Sequence, residues 1–183
     1  MELTFEQARV LGSLIEKQMT TPDYYPMTSN ALLAACNQRS SRFPVVDYSE
    51  TEVVAAVDSL RERGLARTVH GKGDRALKYK HVAVEILEIN PRQAALLAVL
   101  LLRGPQTPGE IRSRSGRLHA FADNSAVVAA LTSLIERDGE PLLVKLPRRP
   151  GRKDSEYMHL FSGSVDVEAY ASQAPVERRP SGR

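Results

Sequence analysis

Tryptophan is absent from the 183 residues, and aromatic side chains amount to 5%, four Phe and six Tyr. A core must therefore be built from Leu, Val, Ile and Ala, as in α-rich domains. Cys36 is the single cysteine, which excludes an internal disulfide and any cysteine-based zinc site within one chain. The role left for it is that of a small buried residue. The longest apolar run, Ala94 to Leu102, falls far short of the ~20 residues that cross a bilayer, and no basic-then-apolar leader opens the chain. A cytoplasmic protein with no membrane partner is expected. Also missing are G-x-S-x-G, a Walker loop, H-E-x-x-H and a dinucleotide fingerprint. No enzyme, cofactor or small-molecule substrate is expected, and Gly71-Lys72-Gly73 is read as a turn. His70, His81, His119 and His159 are scattered along the chain, so a metal site is not expected either.

What is present is ordinary globular composition, 42% hydrophobic and 26% charged, in a length that suits one domain or two small ones. Thr4-Phe5-Glu6-Gln7 has the form of a capping box, the Thr hydroxyl taking an orphan amide while the Gln side chain reaches back. Leu11, Leu14, Ile15 and Met19 then recur at helical spacing up to Pro22. Thr28 or Ser29 can cap a second helix through Leu32, Leu33 and Cys36, which must stop before Pro44. Ser49-Glu50-Thr51-Glu52 opens a third, with Val53, Ala56, Val57 and Leu60 inward and Gly64 just past its end. Leu65 to His70 and Ala76 to His81 read as the two strands of a hairpin.

The same order recurs. Asn90-Pro91-Arg92-Gln93 opens a helix ended by Gly104, and Thr107-Pro108-Gly109-Glu110 opens a short one to about Ser115. Asp123 caps a third running to Arg137, and Pro141 to Pro147 with Glu156 to Phe161 forms a second strand pair. The segments beginning at Val53 and Val127 are identical at six of eight positions, 74 residues apart. Tyr79 and His81 match Tyr157 and His159 at an offset of 78. Order and spacing thus repeat together. The expected fold is mainly α with small β-hairpins (α+β), in two tandem winged-helix domains at residues 1–82 and 90–163. Residues 83–89 are expected as an extended linker, and 164–183 as a largely disordered tail rich in Ser, Ala, Glu, Arg and Pro.

Several motifs in order carry a family resemblance: Asn30-Ala31-Leu32, Ala35-Cys36-Asn37-Gln38, Arg42 with Pro44-Val45, Leu101-Leu102-Arg103-Gly104, Gln106-Thr107-Pro108-Gly109-Glu110, and Tyr157-Met158-His159-Leu160-Phe161-Ser162-Gly163. Through Gly163 the chain resembles the bacterial YceH-like family. That resemblance implies tandem winged-helix domains, the architecture the repeat gives, and leaves the function open.

A helix-turn-helix reader places its second motif helix in the major groove, here the third helix of each unit. The charges oppose that placement. Ser49 to Arg63 carries a net −2 and so does Asp123 to Asp138, although acidic residues at a helix start also serve its amides and dipole. Positive charge collects in the hairpins, +4 over Arg67 to His81 and +3 over Lys145 to Glu156 with His neutral.

The first functional reading is a DNA-binding protein, such as a transcriptional regulator, on double-stranded DNA. Its wing contacts are Lys72, Arg75, Arg148, Arg149, Arg152 and Lys153. Arg39, Arg42, Arg112, Arg114 and Arg117 reach phosphate from the helix-two stretches, and Asn37 and Gln38 are the nearest base-edge groups. The same cations equally serve to solubilise exposed hairpins and block edge pairing, and for Asn37-Gln38 hydrogen bonding to the local backbone is the favoured role. The second reading is a protein-interaction module without DNA binding, in which Glu50, Glu52 and Asp58 dock a basic partner or a second copy of the chain. Tyr24 and Tyr25, and Tyr79 and Tyr157, are read as packing residues.

Overall fold

The computed structural model describes residues 1–73 and 75–173. Local capping sets most helix starts. Helix α1 spans Phe5–Thr20, with Gln7 N–H donating to Thr4 Oγ1 at 3.2 Å and the Thr4 amide to Gln7 Oε1 at 3.1 Å. Strand β1, Met27–Thr28, leads into α2, Ser29–Cys36, which Thr28 caps. Helix α3 spans Glu50–Glu62 behind the Ser49/Glu52 box and ends before Gly64, whose φ of +76° is left-handed. Strands β2, Ala66–Val69, and β3, Lys78–His81, form the first hairpin. Then come α4, Ala83–Leu87, and α5, Pro91–Arg103, the latter behind the Asn90/Gln93 box. Helix α6 is Pro108–Arg114 and α7 is Asn124–Ile135, capped by Thr107 and Asp123. Strands β4, Leu143–Lys145, and β5, Tyr157–His159, make the second hairpin, and α8, Val167–Ser172, follows.

The architecture is mixed α+β with small antiparallel sheets. The first has strand order β1-β3-β2, and the second pairs β4 with β5. Particular contacts recur in the two halves. Gln7 Nε2 donates to Ser59 Oγ and Gln93 Nε2 to Ser133 Oγ, both at 2.9 Å. Each capping glutamine thereby ties the first helix of its half to the third. Met27 pairs with Tyr79 and Gln106 with Tyr157, each one residue before the Thr that caps the next helix. His81 and His159 end the returning strands, and Nδ1 of each accepts the amide two residues on, Ala83 and Phe161, at 3.3 Å.

The halves share one continuous core. Helix α5 is buried from Ala94 to Leu102, α1 from Gln7 to Glu16, and the two pack directly on each other. Gly12 marks the closest approach. A Cβ there would lie 2.9 Å from Leu101 Cβ and 3.0 Å from Leu102 Cγ. Leu3 N–H donates to Phe161 O at 2.6 Å, and Phe43 N–H to Leu102 O at 3.0 Å, so backbone bonds also cross between halves.

Two sequence expectations are corrected. Residues 83–89 are not an extended linker. Residues 83–87 are helix α4, with Ala83 buried and Val84 and Leu87 against the core. A run this short satisfies the alternating and the helical period equally. The tail is ordered in its first part, since Asp166 caps α8 and Tyr170 is buried; residues 174–183 of the expected disordered tail lie outside the described residues. Among the described residues no helix is long and apolar enough to cross a membrane.

Gly12→Ala gains helix propensity worth about 1 kcal/mol but places a methyl against Leu101 Cβ and the Leu102 side chain of α5, where overpacking costs about 1–3 kcal/mol. Urea unfolding is expected to show a net loss of stability for Gly12→Ala and a larger one for Gly12→Val. Burial depresses the His81 and His159 rings from 6.5 to about 4 each. The unfolded chain therefore binds more protons between those values, and the stability present above pH 6.5 is lost as pH falls through about 4. At roughly 1.4 kcal/mol per pH unit of separation, each ring contributes up to about 3 kcal/mol. Unfolding measured across that range is expected to show the slope flattened by His81→Asn and His159→Asn, whose amide oxygen can replace Nδ1 as acceptor.

Candidate functional site

The expected DNA-contacting arginines separate into buried and exposed sets. Arg42 is 5% exposed. Its Nη1 and Nη2 donate to the Glu16 carboxylate at 2.9 and 2.8 Å, and Nε donates to Ala35 O at 3.1 Å. Burial pushes the Glu16 carboxyl up, but the Arg42 bonds and then Lys17, 3.3 Å away, outweigh it and hold that carboxyl below the usual range. Arg42 is thus a structural cation that locks the loop after α2 onto α1, and it is withdrawn from the nucleic-acid set. Arg149 is withdrawn too. It is buried in an ion pair with Glu156, and its guanidinium lies 5.0 Å from the Tyr170 ring centroid, so it fastens the second hairpin to α8.

Asn37 holds Tyr48 by two bonds, Nδ2 to Tyr48 O at 2.9 Å and Tyr48 N–H to Oδ1 at 2.8 Å. Its favoured local role is the one observed. Gln38 accepts from Lys17 Nζ at 2.9 Å and donates to Ser40 O. Arg112 donates to the carbonyls of Phe121 and Ala122, and Arg114 to Gln106 and to Glu110 at 2.7 and 2.9 Å. Arg39 and Arg117 are exposed, and so are Lys72 and Arg75 at the tip of the first hairpin.

The acidic residues of α3 have local bonds. Glu50 accepts from Ser29 Oγ at 2.9 Å, Glu52 completes the capping box, and Asp58 pairs with Arg61 at 3.0 Å. Helix α7 differs. Asp123 is its N-cap and Glu136 its C-cap, so residues 124–135 carry no charge at all. Its exposed face is Asn124, Ser125, Val128 and Ala129.

Beside that face lies a groove of about 350 Å³, walled by Val128 of α7 and Pro108 of α6 on one side and on the other by the second hairpin, with Lys145, Arg148 and Lys153 against the single carboxylate of Asp154. All three cations are exposed, as is Arg152. Sequence reasoning missed the buried Arg9, 1% exposed, which donates to Cys36 O and Pro44 O and lies over Phe5. It also missed Glu16, Lys17 and Arg103. Burial, and then the charge of Arg42, lower the Arg9 pKa. The one local signal for Arg9 was its place among Ala8, Val10 and Leu11 on a helix that buries nearly all of its middle. Among the described residues no group of three His, Cys, Asp or Glu side chains could hold a metal.

Fold and site together define a small α+β protein whose two halves share a core and whose second half carries a groove with one uncharged wall and one on which three cations outnumber a single carboxylate. The chain belongs to the family described as "Protein of unknown function, DUF480", which matches residues 3–152. It is 50% identical over 171 residues to a UPF0502 protein of Geobacter metallireducens, covering 93% of this chain and 77% of that one. It is 46% identical over 179 residues to the UPF0502 protein YceH of Escherichia fergusonii, covering 95% and 83%. A Shewanella relative, also a UPF0502 protein, is 46% identical over 184 residues, covering 98% and 84%. The family resemblance drawn from the motifs is therefore correct, and none of these names carries an enzymatic activity.

Removing Arg42 leaves the Glu16 carboxylate buried without its main partner, which costs about 3–5 kcal/mol. Chemical denaturation is expected to show that loss for Arg42→Ala, whereas Lys153→Ala, at an exposed position, stays within about 0.5 kcal/mol of the parent.

Proposed function

We propose that the chain is a tandem pair of winged-helix units and that the second unit binds double-stranded DNA, as a transcriptional regulator does. The observation that carries this reading is the groove between the uncharged face of α7 and the basic β4–β5 hairpin. In a winged helix the third helix enters the major groove and the hairpin lies along the backbone. Helix α7 offers Asn124 and Ser125 to base edges and Val128 to a thymine methyl. Lys145, Arg148, Arg152 and Lys153 supply phosphate contacts that are indifferent to sequence. The repeated Gln-to-Ser bond, the repeated strand pairing and the repeated histidines support the tandem reading.

The first unit is different, because the exposed carboxylates of Glu50 and Glu52 in the first turn of α3 repel phosphate. The alternative is that this acidic end docks a basic protein partner and that no DNA is bound.

Binding to a random duplex, followed by fluorescence anisotropy at about 50 and 200 mM salt, separates the two, since each neutralised phosphate contributes about −0.9 to the log-log slope. The parent is expected to bind with steep salt dependence. Changing Lys145, Arg148, Arg152 and Lys153 together to Ala is expected to flatten the slope by up to about 3.6. Arg149 is left in place, because its loss would release the hairpin from α8. Unchanged affinity and slope in the quadruple variant would sink the groove reading, and absence of duplex binding by the parent would favour the protein-partner alternative.

A further inference from the structure

The stretches that follow the second helix of each half lie far apart in sequence and meet in space. Where they meet, between the C-terminal ends of α1 and α5, lies a narrow cleft of about 40 Å³. Its polar wall includes Glu16, Lys17, Gln38, Arg103, Arg114 and Arg117, together with two hydroxyl residues, and its apolar floor includes Val99 and Leu102 of α5. Four cations therefore face one carboxylate. That carboxylate takes two bonds from the buried Arg42 and also pairs with Lys17 at 3.3 Å, and Arg114 pairs with Glu110, so the cations around the cleft still outnumber these two carboxylates. The cleft keeps an excess of positive charge against an apolar floor, where an anion meets less screening than at an open surface.

We propose that this cleft binds a single phosphate-class oxyanion, held between the two halves of the chain. The narrow inner space suits a small group better than an extended one. The donor set suits it: guanidinium forks and an ammonium are the side chains that match several oxygens on one centre. Lys17 Nζ is positioned by Gln38 at 2.9 Å. Arg117 is exposed at the rim and makes no hydrogen bond or ion pair among the described residues, so its head group can close over the ligand without breaking a contact. An anion here would bridge α1 and the loop after α2 to α5 and the end of α6, so binding stiffens the joint between halves. The oxyanion has two sources, free phosphate or a backbone phosphodiester, and the inference does not rest on the proposed duplex contact of the second hairpin.

The test uses the full chain and inorganic phosphate, with chloride at equal ionic strength as reference. Isothermal titration calorimetry is expected to show saturable binding of one phosphate per chain, matched by a saturable rise in Tm. Arg117→Ala and Lys17→Ala are expected to weaken the affinity by roughly tenfold or more, the scale of a lost charge-assisted bond. Lys72→Ala, an equal loss of charge on the first hairpin, is expected to leave it unchanged. A phosphate response equal in all three variants, or one rising with concentration without saturating, overturns the site, because phosphate stabilises proteins generally by exclusion from their surfaces. A short duplex that displaces phosphate, and whose own binding falls in Arg117→Ala, identifies the source as a DNA backbone. Phosphate binding that a duplex leaves intact identifies a free anion.

Discussion

Helices α1 and α5 cross so closely at Gly12 that the Leu101 and Leu102 side chains of α5 leave no room there for a side chain on α1. Each is the first helix of its half, and each is buried along most of its length. The third helix of each half is tied to its own first helix by the capping glutamine, Gln7 to Ser59 and Gln93 to Ser133, and the second helix packs against the same pair. The crossing therefore sets the relation of every element in one half to every element in the other. It also places the ends of α1 and α5 side by side, which is why the loop after α2 and the end of α6 converge on one cleft.

Charge in this protein divides by burial rather than by position in sequence. Arg9, Arg42 and Arg149 are interior residues, each bonded to carbonyls, a carboxylate or an aromatic face. An arginine can be buried in this way because its five donors and planar fork allow several bonds at once. A buried ion pair contributes little net stability against an apolar alternative, yet breaking one partner away is costly. The exposed cations of the second hairpin and of the cleft rim have the opposite character, being solvated and able to turn to an incoming anion.

The helix starts were legible in the sequence because capping is local: a Thr, Ser or Asn and a Gln or Glu three residues on are enough to specify them. The hairpins and the repeated order were legible for the same reason, from turn residues and short periods. Strand β1 was not, since two residues leave no period to read. Neither was the burial of Arg42, whose carboxylate partner lies 26 residues away. The charge of the third helix in the second half was misjudged for a more instructive reason. A window from Asp123 to Asp138 counts both caps and the turn beyond them, while the helical residues between are uncharged. What repels phosphate in that window sits at the ends of the helix rather than along its face.

The bond from the Leu3 amide to Phe161 O joins residues at opposite ends of the described chain. Together with the crossing of α1 and α5, it adds contacts between residues distant in sequence, since α1 packs on α2 and α3 of its own half but meets α5 only once the chain beyond Pro91 has been made. During synthesis the side of α1 that meets α5 must wait, solvated or shielded, for the second half to emerge. Although its sequence reads as two successive units, the shared core and the backbone bonds between halves couple the stability of one to the other. An insertion or deletion that a beads-on-a-string repeat would confine to one bead is felt here in both.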